Sequence, residues 1–392
     1  MLVKGEGYRE LAMPYRITAA DRAMFKRCRR QWDLGSGGRR SLVPAREPAH
    51  AAVDLALALR DALAVYYFPG MWDWERSIVL PLVRKGLERS IERQRAAGAA
   101  LGAEAALARG GEVLEAYFDW APGVDRFSPI RTEVGFEVNL PDPGAPGSEL
   151  VAMGGQPVRY LGLVELLVAD AKDRYWVVSH RVRSDGFAPR AQLLLDEEPV
   201  VSAWAWERFQ LDVVVVGTIH NELRPGGLGA PGQGAGPAAG GEGAHPRGGL
   251  PQHEASGGGR SVPFHRRIAA ERGGERSDAD HEPGELAAEG TAAFRRTWIR
   301  RERAELDAAG TRLAEEAMEM LDPALALYAN PTPANCAACP FVDPCVAANE
   351  GLDVEAVLEA GYRRADPLEG LRTTRWGMSA WGMGRGGVLP GG

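Results

Sequence analysis

The stretch Cys336-Ala-Ala-Cys339-Pro-Phe-Val-Asp-Pro-Cys345 holds three of the chain's four cysteines. The fourth, Cys28, stands near the other end, in Phe25-Lys-Arg-Cys28-Arg-Arg-Gln-Trp32. Four thiolates are the number that closes a tetrahedral zinc site or holds an iron–sulfur cluster. Their tight spacing in a Pro/Asn/Asp-rich loop reads as a ligand set rather than as unrelated buried small hydrophobes. The ligand count alone does not separate zinc from iron–sulfur. A set split in this way staples the two ends of a domain together. The opening Met1-Leu-Val-Lys-Gly-Glu-Gly7 has no apolar signal core. The expected compartment is therefore a reducing cytoplasm, where a disulfide framework is not expected.

At 392 residues the chain can build one large domain or two ordinary ones. It has no apolar run of the roughly 18 residues that a membrane span requires. With 46 Lys and Arg against 53 Asp and Glu, the net charge of −7 excludes a globally basic surface. Nucleic-acid contact must then use local patches. Two basic runs stand out: Arg22, Lys26, Arg27, Arg29 and Arg30 around the first cysteine, and Arg295, Arg296, Arg300, Arg301 and Arg303 upstream of the other three. Each run taken alone reads as a solvated helix face. Beside the two halves of one ligand set, they read together as strand-binding surfaces, with Trp32 and Trp298 as candidate stacking faces.

Thr18-Ala-Ala-Asp21 predicts a helix start, and Met24, Phe25, Cys28 and Trp32 continue at helical spacing, with Cys28 facing inward. Further helices are predicted from about Glu47 to Tyr67, with His50 and Asp54 one turn apart, from Trp74 to Arg95, and from Ala103 to Trp120. The period then changes. Ile130–Leu140 alternates, and Arg159–Ala169 and Tyr175–Arg183 read as strands joined by the turn Asp170-Ala-Lys-Asp-Arg174. A helix bearing Gln192, a buried strand over Leu211–Ile219 and a long helix over Glu285–Met320 complete the pattern. The expected fold class is α/β, a mixed sheet flanked by helices rather than a doubly wound one. Residues 1–350 read as one domain interrupted by a Gly/Pro-rich insertion at 224–260, whose composition predicts disorder. Residues 351–375 read as a helical extension, and 376–392 as a loose tail.

A helix with one cysteine, a helix with a histidine, a β-meander and a terminal C-x2-C-x5-C loop resemble the iron–sulfur branch of the PD-(D/E)XK nucleases. That branch includes RecB-like exonucleases, AddB-type subunits and CRISPR-adaptation nucleases. The likeness covers roughly residues 16–350 outside the insertion, and Pro331-Thr-Pro-Ala-Asn-Cys336 and Phe341 add to it. It implies a restriction-endonuclease-like core, a [4Fe–4S] cluster held by Cys28, Cys336, Cys339 and Cys345 (zinc being the alternative), and Mg²⁺ or Mn²⁺ if the centre is active. By the same resemblance, His50 and Glu165 of Gly162-Leu-Val-Glu165 are the candidate metal ligands. Ser179 and Arg181 stand where the family carries its acid and lysine, and Gln192 matches the glutamine of the following helix, whereas Asp196 replaces a tyrosine.

Those departures predict a weakened centre. A serine hydroxyl is a poorer Mg²⁺ ligand than a carboxylate, and Arg181 can grip a phosphate but cannot act as an adaptable amine. Asp170-Ala-Lys172 reads as plain turn chemistry. His180 and Asp185 are the alternative sources of a missing ligand, and a Glu165–Arg181 pair across the strands is the structural alternative to a metal site. Two functions follow as expectations: a metal-dependent DNA exonuclease or endonuclease, or a non-catalytic DNA-binding and assembly module on the same scaffold. Expected partners are single-stranded DNA or duplex ends, together with a helicase or other DNA-processing proteins, since the chain has no Walker-type phosphate loop.

Overall fold

The computed structural model describes residues 13–45, 51–228 and 288–365. His50, the insertion from 229 onward and the chain beyond 365 lie outside the described residues. Strand β1 (Tyr15–Thr18) leads into α1 (Ala19–Arg27) and α2 (Arg29–Gly35), followed by β2 (Leu42–Pro44). Helices α3 (Leu55–Tyr66), α4 (Arg76–Ala96) and α5 (Ala103–Val124) precede the meander β3 (Phe127–Asn139), β4 (Val158–Asp170) and β5 (Tyr175–Val182). Helices α6 (Arg190–Leu194) and α7 (Glu197–Phe209) carry the chain to β6 (Val215–Leu223). After the insertion come β7 (Ala288–Gly290), β8 (Phe294–Arg300) and α8 (Arg303–Leu321). The C-terminal part holds α9 (Pro333–Cys336), α10 (Val342–Glu350), α11 (Val354–Gly361) and β9 (Tyr362–Arg364).

The architecture is α/β. Seven strands form one mixed sheet in the order β1-β4-β5-β6-β8-β7, with β3 also paired to β4. The meander pairs are antiparallel, and β6 returns parallel to β5 after the helical crossover. One face packs α3, α4 and α5 through Leu59, Leu63, Val83, Leu87 and Leu114 against Leu166, Val168, Val178 and Ile219. The opposite face packs α7 and α8 through Trp204, Leu306 and Leu313 against Val164, Leu167 and Val177. Helix α8 approaches α7 closely because Gly310 has no side chain: a Cβ there would lie 2.2 Å from Trp204. Gly162 serves β4 in the same way, since its register partner Phe136 covers it with a ring 2.2 Å from a Cβ position.

Several expectations need correction. The predicted helix start at Thr18 is present and is closed by a capping box, Thr18 and Asp21 bonding each other's backbone. It then breaks at Cys28, which adopts extended backbone between α1 and α2 instead of facing inward from a continuous helix. The Arg27 carbonyl freed by that break accepts from the Asn330 and Asn335 side chains at 3.0 and 3.3 Å. Helix α3 begins at Leu55, with Asp54 as its N-cap bonding Leu57 N at 3.0 Å, so Asp54 does not pair along a helix face.

The expected helix over 285–320 is two strands followed by α8. Within β8, Phe294 and Trp298 join the α3–α5 face while Ile299 turns away, so the true period there is two. The predicted strand at 211–219 lies four residues later, at Val215–Leu223. No helix among the described residues is long and apolar enough to cross a membrane.

Candidate functional site

Glu165 sits in a notch of the sheet. Strand β1 pairs with β4 only up to Leu161, and β5 begins to pair with β4 only at Leu166. The β4 edge between them faces neither strand, and β5 splays away beyond Val178. The Glu165 carboxylate fills the gap. It accepts from the His180 backbone N–H at 2.7 Å and from Arg60 Nη1 of α3 at 3.3 Å. Burial alone would raise its pKa, but the charges of His180, Arg181 and Arg60 and the His180 amide bond outweigh that and hold it below the ordinary value.

Ser179 and Arg181 do not converge on that carboxylate by direct bonds. Arg181 donates to Glu198 at 2.9 Å and lies 3.7 Å from Asp196, both near the start of α7. It reaches Glu165 only as a nearby charge. Ser179 is buried and in register with His220 of β6. Arg181 and Gln192 do come together, lining one cleft of about 840 Å³ with Arg22, Lys26, Arg183 and Asp196. Glu165 is not among its lining residues.

His220 escaped the sequence reading. It is fully buried beside Asp196, whose Oδ2 lies 4.0 Å from Nδ1, and neither ring nitrogen has a hydrogen-bond partner among the described residues. Burial, with Arg301, Arg181 and Arg183 nearby, pushes its pKa down to about 4. A histidine inside an apolar strand carries no local signal of this kind, so only the tertiary fold reveals it.

Asp170 and His180 have structural tasks instead. Asp170 organises its turn, accepting from Lys172 N, Arg174 N, Arg174 Nε and Trp176 Nε1 at 2.8–3.0 Å. Asp185 lies exposed after β5. The His180 ring points to the α3–α5 face, stacks on Tyr67 and contacts Asn221 Nδ2 at 2.8 Å.

From Asn221 a buried network continues to the Tyr117 hydroxyl at 2.9 Å, to Tyr67 at 2.7 Å, and to Arg296, which bonds both hydroxyls and pairs with buried Asp125. Arg296 is 1% exposed and lies over the Trp120 and Phe127 rings. The second basic run is therefore divided: Arg296 and Arg301 are buried and Arg295 pairs with the buried Glu222 at 2.8 Å, while Arg300 and Arg303 are exposed. Trp32 is likewise fully buried, and Trp298 packs edge-on against Trp176, so neither offers a stacking face.

The C-terminal loop is brought to Cys28. Asn330 N donates to Cys28 Sγ at 3.4 Å. Burial raises the Cys339 pKa, and Cys345, Cys28 and Cys336 all lie near enough to raise it further. Among the described residues, no three His, Cys, Asp or Glu side chains are grouped so as to hold a metal ion. Protein contacts join the same regions: Phe341 packs with Leu34 and Leu358 and stacks on Tyr362, β2 pairs with β9, and Arg40 pairs with Glu355. No family model matches this chain, and no curated protein matches it.

Proposed function

We propose that the chain is a DNA-binding module on a RecB-like PD-(D/E)XK scaffold, with its hydrolytic centre disarmed. The observation that carries this reading is the occupation of Glu165 by Arg60 and the His180 amide. A Mg²⁺ site needs free carboxylate oxygens in octahedral array. Here the carboxylate on the central strand is neutralised by a guanidinium, and the position expected for the second acid is Ser179. Support for the scaffold comes from the mixed sheet, with Glu165 and Ser179–Arg181 on adjoining strands and Gln192 on the next helix.

A [4Fe–4S] cluster on Cys28, Cys336, Cys339 and Cys345 belongs to the same proposal. All four thiols lie in one region, around Cys339. The part of the cluster here is to tie α1 and α2 to the C-terminal loop.

The test is anaerobic purification with iron and sulfide analysis, followed by DNA binding and degradation assays with Mg²⁺ and Mn²⁺. Binding without cleavage is expected. Mn²⁺-dependent degradation that disappears in Glu165→Ala would establish an active nuclease instead.

A further inference from the structure

Helix α4 buries one side and leaves the other uncovered by the described residues. Val79, Val83 and Leu87 pack beneath it, while Ile78 and Leu82 are 51% and 37% exposed. Trp74, at the head of the helix, is 50% exposed. Lys85 and Arg89 continue the line of Ile78 and Leu82, and spacings of four, three and four keep all four on one outward ridge. The ridge is apolar in its first half and basic in its second. The other cations of α4 are already matched: Arg76 with Asp119, Arg84 with Glu115, Arg93 with Asp61 and Arg95 with Glu92. Lys85 and Arg89 have no ion pair among the described residues. Glu88 and Glu92 stand to one side, in the groove toward α5 that Arg89 borders. A row of uncovered apolar side chains running into unmatched cations has a defined complement, an apolar row running into carboxylates.

We propose that this ridge docks an amphipathic helix of another protein. The apolar residues of that helix meet Trp74, Ile78 and Leu82, and its Asp or Glu residues meet Lys85 and Arg89. The docking is separate from DNA binding: α4 covers the face of the sheet opposite α7 and α8, and none of the ridge residues lines the cleft at Arg181 and Gln192. A second copy of the chain fits poorly. Laid antiparallel it sets Lys85 and Arg89 against Ile78 and Leu82, and laid parallel it sets cations against cations. A membrane surface fits poorly too, because an interfacial helix carries its apolar face along its whole length with the basic residues around it. Here the two kinds of residue follow one another along about 16 Å of helix axis. That order suits a rod-like partner lying along α4.

The test uses the full chain and two fluorescein-labelled helical peptides, each about three heptads long. Both carry Leu at the contact positions of one half; in the other half one carries Glu and its counterpart carries Lys. Anisotropy should show the parent binding the Glu peptide about tenfold more tightly than the Lys peptide. Ile78→Ser and Leu82→Ser should each weaken the Glu peptide about tenfold. The double variant Lys85→Glu/Arg89→Glu should reverse the preference between the peptides, which decides the matter even if a serine variant does not fold. A parent chain that binds neither peptide, or variants that keep its affinity and preference, would overturn the docking. Parent binding to phosphatidylglycerol vesicles that Leu82→Ser removes would overturn it in favour of a membrane contact. A concentration-dependent dimer in sedimentation that the same variant abolishes would overturn it in favour of a self-interface.

Discussion

The Arg60 Nη1 atom lies 3.3 Å from Glu165 Oε1, across the boundary between helix α3 and the central strand β4. That contact turns a lone carboxylate in a sheet notch into half of an ion pair, with the His180 amide completing its shell. Glu165→Gln keeps an acceptor for that amide and should cost about 1 kcal/mol. Glu165→Ala leaves the amide unpaired in the notch and should cost about 2–3 kcal/mol. Urea denaturation of the two variants measures the difference, and equal losses would show that the amide bond contributes nothing.

Arg296 and Asp125 form a pair that neither residue can lose alone. Arg296→Met strands the Asp125 charge, and about 3–5 kcal/mol should disappear. The double variant Arg296→Met/Asp125→Leu removes both charges and should recover much of that loss. A double variant no better than the single one would mean that the tyrosine hydroxyls, not the acid, dominate the cost.

His220 makes stability depend on pH with a definite sign. Its folded pKa of about 4 lies below the ordinary 6.5, so the unfolded chain takes up the proton first as pH falls. The stability that this group contributes is fully present above pH 6.5. Between there and pH 4 this single group should remove up to about 3 kcal/mol. His220→Phe cannot take up the proton, so that part of the slope should vanish in thermal or urea melts taken across the range.

Gly310 is where α8 meets α7. An added methyl would press on the Trp204 ring, and overpacking of this kind costs about 1–3 kcal/mol. Gly310→Ala should lower the melting temperature, and pairing it with Trp204→Phe should restore part of the loss.

Under the proposed cluster, Cys28→Ser should abolish bound iron and sulfide and lower the melting temperature, because metal binding and folding are coupled. Retention of a full complement of iron in that variant would remove Cys28 from the ligand set.

The meander was legible in the sequence because its strands alternate or run apolar between clear turn residues, as Asp170 and Arg174 do at the β4–β5 corner. The helix start at Thr18 was legible for a similar reason, since its capping box is local chemistry. What escaped depended on contacts remote in the chain. Nothing near Phe294-Arg-Arg-Thr-Trp-Ile-Arg300 shows that Arg296 has an acid and two tyrosines waiting for it, so arginines that line a strand read as a helix face. The break at Cys28 is held by Asn330 and Asn335 from the other end of the chain. The candidate site was legible as a set of residue types, but not in its geometry: β5 splays away at Ser179, and that separates Glu165 from the positions that period-two alternation assigns to its face.

Hairpin alignment is ordinarily dictated by a short turn. Strands β6 and β8 pair as antiparallel neighbours, yet the chain between Leu223 and Phe294 is far too long to dictate any alignment. A slip of one residue would swing the Arg296 guanidinium through the sheet to the α7–α8 side, away from Asp125, Tyr67 and Tyr117. The buried cation thus acts as an indexing pin. The length and composition of the intervening sequence can then change without disturbing how the two strands mate.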